Sequence, residues 1–242
     1  MRQKPIPIGL EGIEARVLYH QYNGFGIKSL LVSLGPPRRV LSTHHGFIEA
    51  TYLVNHYNPS ELWQQIHDDY RVFESQVPGM LGLPAGMTVV LSTAADMDNL
   101  AVEEQSYDEF AVCCIATAGA KNNALRMGVD RAGSIERDGS FESLPGTINI
   151  LLLTNARLTD EAMVRAIVTA TEAKTASLQD LDIRSTFSPE HQATGTGTDG
   201  VVVVPGDGPL VGYTGGHGKM GELMGVATRT AVAEAIRRQD GP

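Results

Sequence analysis

The chain has 242 residues, enough for one large domain or two small ones with a buried core. Hydrophobic residues make up 42% and charged residues 19%, which is ordinary for a globular protein. The net charge of -9, with no cluster of Lys or Arg, argues against nucleic acid or an anionic membrane surface as a partner.

The opening MRQKPIPIGLEG lacks the apolar stretch of a secretory signal, and no run approaches the ~18 apolar residues of a membrane-spanning helix. The two cysteines, Cys113 and Cys114, are adjacent. Neighbours in a strand point to opposite faces, so a disulfide between them is disfavoured and a reducing compartment is expected. Together these features predict a cytoplasmic protein with no membrane partner. A homo-oligomer is left open.

Residues Ala15–His20 and Lys28–Leu34 are β-prone and flank a turn-like Tyr22-Asn23-Gly24-Phe25-Gly26. Gly35-Pro36-Pro37 then reads as a break. It suggests a strand-rich N-terminal extension over 1–39, packed on a main domain over 40–238 in one compact unit. Val40–Thr43 and Thr51–Asn55 are short strand or helix candidates. Ser60 can cap a helix running to about Glu74, with Leu62, Ile66 and Tyr70 at helical spacing. Thr88–Ser92, Phe110–Ala116 and Thr147–Leu153 are near-continuous apolar runs, the pattern of strands covered on both faces. Arg131–Ser143 is polar and reads as an exposed hairpin or loop.

The clearest helix spans Thr159–Leu181, capped by Thr159, with Asp160 and Glu161 suiting its first turn and Met163, Ile167, Leu178 and Leu181 on one face. A Gly- and Thr-rich loop, Ala193–Asp199, leads into an apolar strand over Val201–Val204. A last helix follows Thr214–Lys219 and runs to about Arg238. No linker divides the chain, so the predicted fold class is α+β, a single domain of layered mixed β-sheets and packed helices.

Lys174 stands out because it falls inside the apolar stripe of its helix. A buried ammonium must be paired or functional; the plainer alternative is a stem that snorkels to solvent. Glu172, two positions away, lies on the opposite, polar face and cannot reach the same point. In Thr194-Gly195-Thr196-Gly197-Thr198-Asp199, backbone amides and hydroxyls surround a carboxylate. The amides at Gly195–Gly197 could stabilise an oxyanion, and Asp199 could activate water or a hydroxyl such as that of Thr196; alternatively Asp199 simply ties its own loop. Asn122 and Asn123 follow a buried strand and could bind a polar substrate edge or cap a turn. His44-His45 and His217 lack any zinc-ligand spacing, and TGGHGK is not a phosphate-binding loop because Met220 follows its lysine. No metal site is expected.

The blocks VLST (40–43), Thr93-Ala94-Ala95, ATAGAKNNALRMG (116–128), GTINILLLTNARLTDEAM (146–163), TATEAKTASLQDL (169–181) and ATGTGTD (193–199) together resemble the adenosylcobinamide amidohydrolase family. TEAK and TGTGTD, in this order after GTIN, are the specific part. The resemblance implies hydrolysis of the amide joining the aminopropanol arm of adenosylcobinamide to its corrin carboxyl group, giving adenosylcobyric acid and 1-aminopropan-2-ol. It implies a corrinoid substrate that brings its own cobalt, and no further cofactor. On this reading Asp199, Lys174, Glu172 and Thr196 are the catalytic candidates. Asn122, Asn123, Asn149, Thr194, Gly195, Gly197, Thr198, His45 and His217 are the substrate-binding candidates. A corrinoid-binding or carrier protein without catalysis is the alternative.

Overall fold

The computed structural model describes residues 2–62, 70–132 and 146–241. The chain begins with β1 (Arg2–Ile6), β2 (Glu14–Tyr22), β3 (Phe25–Ser42) and β4 (Gly46–Tyr57), an antiparallel series in which each strand pairs with the next. Helix α1 (Tyr70–Met80) leads to β5 (Thr88–Thr93), which runs parallel to β4. Strands β6 (Ala101–Tyr107) and β7 (Phe110–Ala118) form a hairpin, and the two-residue β8 (Ala124–Leu125) follows. Next come β9 (Ile148–Thr154), the two-residue β10 (Arg157–Leu158) and α2 (Asp160–Asp180). The chain ends with the short β11 (Gly195–Thr196), β12 (Gly200–Val204), the short β13 (Leu210–Val211) and α3 (Lys219–Asp240).

Among the described residues, nine strands form one branched sheet with β3 at the branch point. Its first part pairs with β2 and β4; its end pairs with β4 and, at Leu41 and Ser42, with β12. The register with β4 shifts between Ser33 and Arg38, where Gly35 adopts a φ of 74° and the two prolines that cannot donate to a ladder are housed. Gly35-Pro36-Pro37 is therefore a bulge inside one 18-residue strand, not the break expected from sequence. The expected boundary at residue 39 likewise falls within continuous pairing, because Arg38 and Arg39 oppose Ala50 and Glu49.

The bend folds the sheet over itself and yields three apolar layers. Val17, Leu30, Val32, Leu53 and Leu91 from one limb meet Cys113, Ile115, Leu151, Val202 and Val204 from the other. On the far side of the second limb, Cys114, Ile150, Leu152, Val201 and Val203 pack against Met163, Ala166 and Leu178 of α2 and Leu223, Ala227 and Ala231 of α3. Phe73 and Val77 of α1 cover Leu31, Val54 and Val90 on the outside of the first limb. Strand pleating sends alternate residues into different layers, so both faces of β7, β9 and β12 must be apolar. The same alternation puts the two free cysteines on opposite faces, and burial pushes the Cys114 thiol up to about 12. The fold is α+β, with layered mixed sheets and packed helices.

Thr159 caps α2 by accepting from the Ala162 amide at 3.2 Å, as its sequence predicts. Residues 60–62 are helical, but 63–69 of the helix expected from Ser60 lie outside the described residues, as does the stretch Arg131–Ser143 from 133 onward. No helix among the described residues is long and apolar enough to cross a membrane.

His56, on β4, is fully buried, with its Nδ1 2.8 Å from Ser29 Oγ and no partner for Nε2. Burial, and to a lesser degree His20, push its pKa down to about 3. The unfolded chain takes up a proton near pH 6.5 that the folded chain refuses, so stability is full above about 6.5 and falls as the pH drops toward 3. Between pH 7.5 and 5.5 the urea midpoint should fall by the equivalent of about 1 kcal/mol. His56→Gln should remove the larger part of that slope.

Candidate active site

Three segments converge at one end of the second limb: the C-terminal end of β7 and the N-terminal ends of β9 and β12. Ala118 opposes Ile148, and Asn149 opposes Gly200. The loop before β12 is held by the β8–β11 pair, with Thr194 N donating to Leu125 O at 2.8 Å and Met127 N to Thr194 Oγ1 at 2.9 Å.

Asp199 is the hub. Its carboxylate accepts from Thr196 Oγ1 at 2.5 Å, from Thr196 N at 3.1 and 3.2 Å, from Ile148 N at 3.1 Å, and from Lys174 Nζ. Lys174 is only 7% exposed, so the anomalous lysine of the α2 stripe is a buried member of an ion pair and does not snorkel. Gly195 is required beside it: a Cβ there would lie 2.6 Å from Lys174 Nζ. These donors occupy roughly the four lone-pair sites that a carboxylate offers. Asp199 thus ties its own loop, as the plainer sequence reading holds, and also fixes a hydroxyl and a cation at one point.

A second set of bonds closes around Gly146 and Thr147. Gly146 O accepts from Asn123 Nδ2 at 2.9 Å and from Thr198 Oγ1 at 3.0 Å, while the buried Thr147 hydroxyl donates to Thr198 O at 2.7 Å. Gly146 has a φ of 121°, and a Cβ there would come 2.9 Å from Asn123 Cβ. Sequence reasoning missed Thr147. The available signal was a hydroxyl residue wedged between a glycine and a fully apolar strand.

Asn149 lies on the other face of β9, between the sheet limbs. Its Nδ2 donates to Asn55 Oδ1 at 2.8 Å and Ser92 O at 3.0 Å, and Asn55 Nδ2 donates to Thr117 Oγ1 at 2.8 Å. Asn149 Oδ1 and both side-chain polar atoms of Asn58 are buried without hydrogen-bond partners. Asn149 therefore backs the Asp199 cluster from across the sheet and does not line it.

The other candidates separate. Glu172 is exposed and does not join the cluster, because two helical positions turn it away from Lys174. Asn122 is exposed, whereas its neighbour Asn123 is buried beside Gly146 and Gly197. His45 is exposed on the turn between β3 and β4, 3.3 Å from Val90 O. That turn is at the Asp199 end, since Thr43 Oγ1 accepts from Val201 N at 3.0 Å. Beside it, desolvation lowers the His44 pKa, opposed by the charge of Glu74. His217 is remote: it precedes α3, whose far end reaches the 118–123 loop through Asp240 and Ala120 N. A helix of 22 residues, roughly 33 Å, lies between. Among the described residues, no three His, Cys, Asp or Glu side chains converge as metal ligands.

The model of the family described as adenosylcobinamide amidohydrolase matches residues 15–242, a span that includes every part of this cluster. The chain belongs to that family. An uncharacterized protein of Methanocaldococcus jannaschii is 48% identical over 223 residues, covering 88% of this chain and 87% of that protein. An adenosylcobinamide amidohydrolase of Methanosarcina mazei is 34% identical over 113 residues, which is 47% of this chain and 43% of that relative. Among solved structures, a Burkholderia β-aminopeptidase is similar with a TM-score of 0.47 at 10% identity, over 95% of this chain and 84% of that one.

Removing one member of a buried ion pair leaves the other charge uncompensated, at a cost of about 3–5 kcal/mol. Lys174→Met and Asp199→Leu should each lower the denaturant midpoint by that order. The double variant should be more stable than the sum of the two losses implies, as read from a double-mutant cycle in urea.

Proposed function

We propose that this protein hydrolyses the aminopropanol amide of adenosylcobinamide, releasing 1-aminopropan-2-ol and adenosylcobyric acid. The observation that carries the reading is the Thr196 hydroxyl held 2.5 Å from an Asp199 oxygen while Lys174 neutralises the same carboxylate. Acyl transfer needs a nucleophilic oxygen, a group to take its proton, and positive charge or N–H groups where the carbonyl oxygen becomes an anion. Thr196 attacks the amide carbon as Asp199 takes its proton. The C–N bond breaks, and the proton passes to the departing amine. Water then cleaves the threonyl ester and restores both side chains. Lys174 and the amide of exposed Gly197 stabilise the oxyanion, the Thr196 amide being taken up by Asp199, and Asn123 with Thr198 orients polar groups of the substrate. The reaction needs no cofactor on this reading, since the cobalt arrives within the substrate. Two buried free thiols fit a reducing cytoplasm.

The filled hydrogen-bonding capacity of Asp199 favours the second reading, a corrinoid-binding protein without turnover. The two part on one assay: purified protein is incubated with adenosylcobinamide and the products are followed by mass spectrometry. Hydrolysis predicts stoichiometric aminopropanol and adenosylcobyric acid. Thr196→Ala and Asp199→Asn should each lower kcat by about a hundredfold or more with the corrinoid still bound. Bound corrinoid that stays intact in the wild type would sink the hydrolase reading.

A further inference from the structure

Two turns beside the candidate site carry large apolar side chains outward. Met127 and Val129 project from the 126–130 turn, and Phe187 from the 185–188 turn, with exposures of 74%, 46% and 52%. Exposed apolar groups are usually scattered on mobile ground, but these two turns are locked together. The Asp130 carboxylate accepts from Arg126 N at 2.5 Å, from Ser185 Oγ at 2.6 Å and from Ser188 Oγ, and these bonds hold its pKa below the ordinary carboxylate range. Ser185 Oγ in turn accepts from the amides of Phe187 and Ser188 at 3.1 and 3.0 Å.

The clamped pair is also continuous with the Asp199 loop. Thr186 N donates to Ala124 O at 2.8 Å, Met127 N donates to Thr194 Oγ1, and Thr194 opens the segment that ends at Asp199. The clamped turns, an apolar lip, therefore adjoin the loop that carries Asp199.

We infer that Met127, Val129 and Phe187 form the seat for the corrin macrocycle of the substrate, holding its broad methylated face while the amide-bearing arm reaches the Thr194–Asp199 loop. This rests on the corrinoid reading above. A rigid ring gains most from a surface that is already ordered, because little entropy is lost on binding. The hydrogen bonds to Asp130 supply that order. Exposed Asn122, on the adjoining loop, is placed for the carboxamides at the ring's edge.

The test compares wild type, Met127→Ser/Phe187→Ser, and a control, Val164→Ser/Val226→Ser, whose exposed side chains lie on α2 and α3. Adenosylcobinamide turnover gives KM and kcat, and its visible spectrum gives Kd. Each lost apolar contact weakens binding by about tenfold. The lip variant should therefore show KM and Kd raised at least tenfold, kcat within about threefold and an unchanged urea midpoint, with the control matching wild type. A lip variant with wild-type KM and Kd overturns the inference, as does one whose change is confined to its oligomeric state, which would mark the lip as a contact between copies of the chain. Wild type that binds adenosylcobinamide without cleaving it, with binding weakened in the lip variant, would sink the hydrolase reading and leave the lip standing.

Discussion

One pair of opposite charges, Lys174 and Asp199, is buried where the helical layer meets the end of the sheet. Each charge alone would be expensive in that place, and together they roughly break even. Their contribution is positional. The lysine belongs to a 21-residue helix and the aspartate to a glycine-rich loop, and their contact sets where that loop can lie. The Thr196 hydroxyl, the start of β9 at Ile148 and the room left by Gly195 all follow from that contact.

The folded-over sheet gives this pair its surroundings. Because β3 bends at Gly35-Pro36-Pro37 and serves both limbs, the second limb is covered on one face by the first limb and on the other by α2 and α3. Its strand ends thus carry two polar sets back to back. Asp199 and Lys174 occupy the helical face, while Asn55, Thr117 and Asn149 hold the inter-limb face. The first set adjoins exposed chain at Gly197 and on through Thr194 to the 126–130 turn.

Much of this was legible in the sequence where a local rule was decisive. The apolar runs of β5, β7 and β9 announce strands covered on both faces, Thr159 announces a helix start, and Lys174 on an apolar stripe announces a partner. What local rules could not supply was long-range pairing. Gly35-Pro36-Pro37 reads as a break because a bulge is defined only by the strand opposite. Asn149 and Asp199 look like co-workers along the chain, yet strand pleating puts them on opposite faces. His217 resembles a site residue from its glycine-rich context alone, and only the length of α3 removes it to the other end. Thr147 went unnoticed because a threonine opening an apolar strand looks like ordinary β-sequence.

Strand β12 reads Gly-Val-Val-Val-Val and is buried on both faces. In a one-sided strand, slipping by a single residue would throw apolar groups into water and so be forbidden. Here such a slip trades valine for valine over most of the strand, and within it the register is marked by Gly200 alone, where a Cβ would lie 2.8 Å from Asn149 Oδ1. A second mark is Asp199, one place before the strand: a slip would carry it from the helical face to the inter-limb face and strand Lys174 without a counter-ion. The charge pair thus joins Gly200 as a spelling check on a repetitive stretch of sequence. The chain keeps its strands aligned with the same atoms it sets at the candidate site.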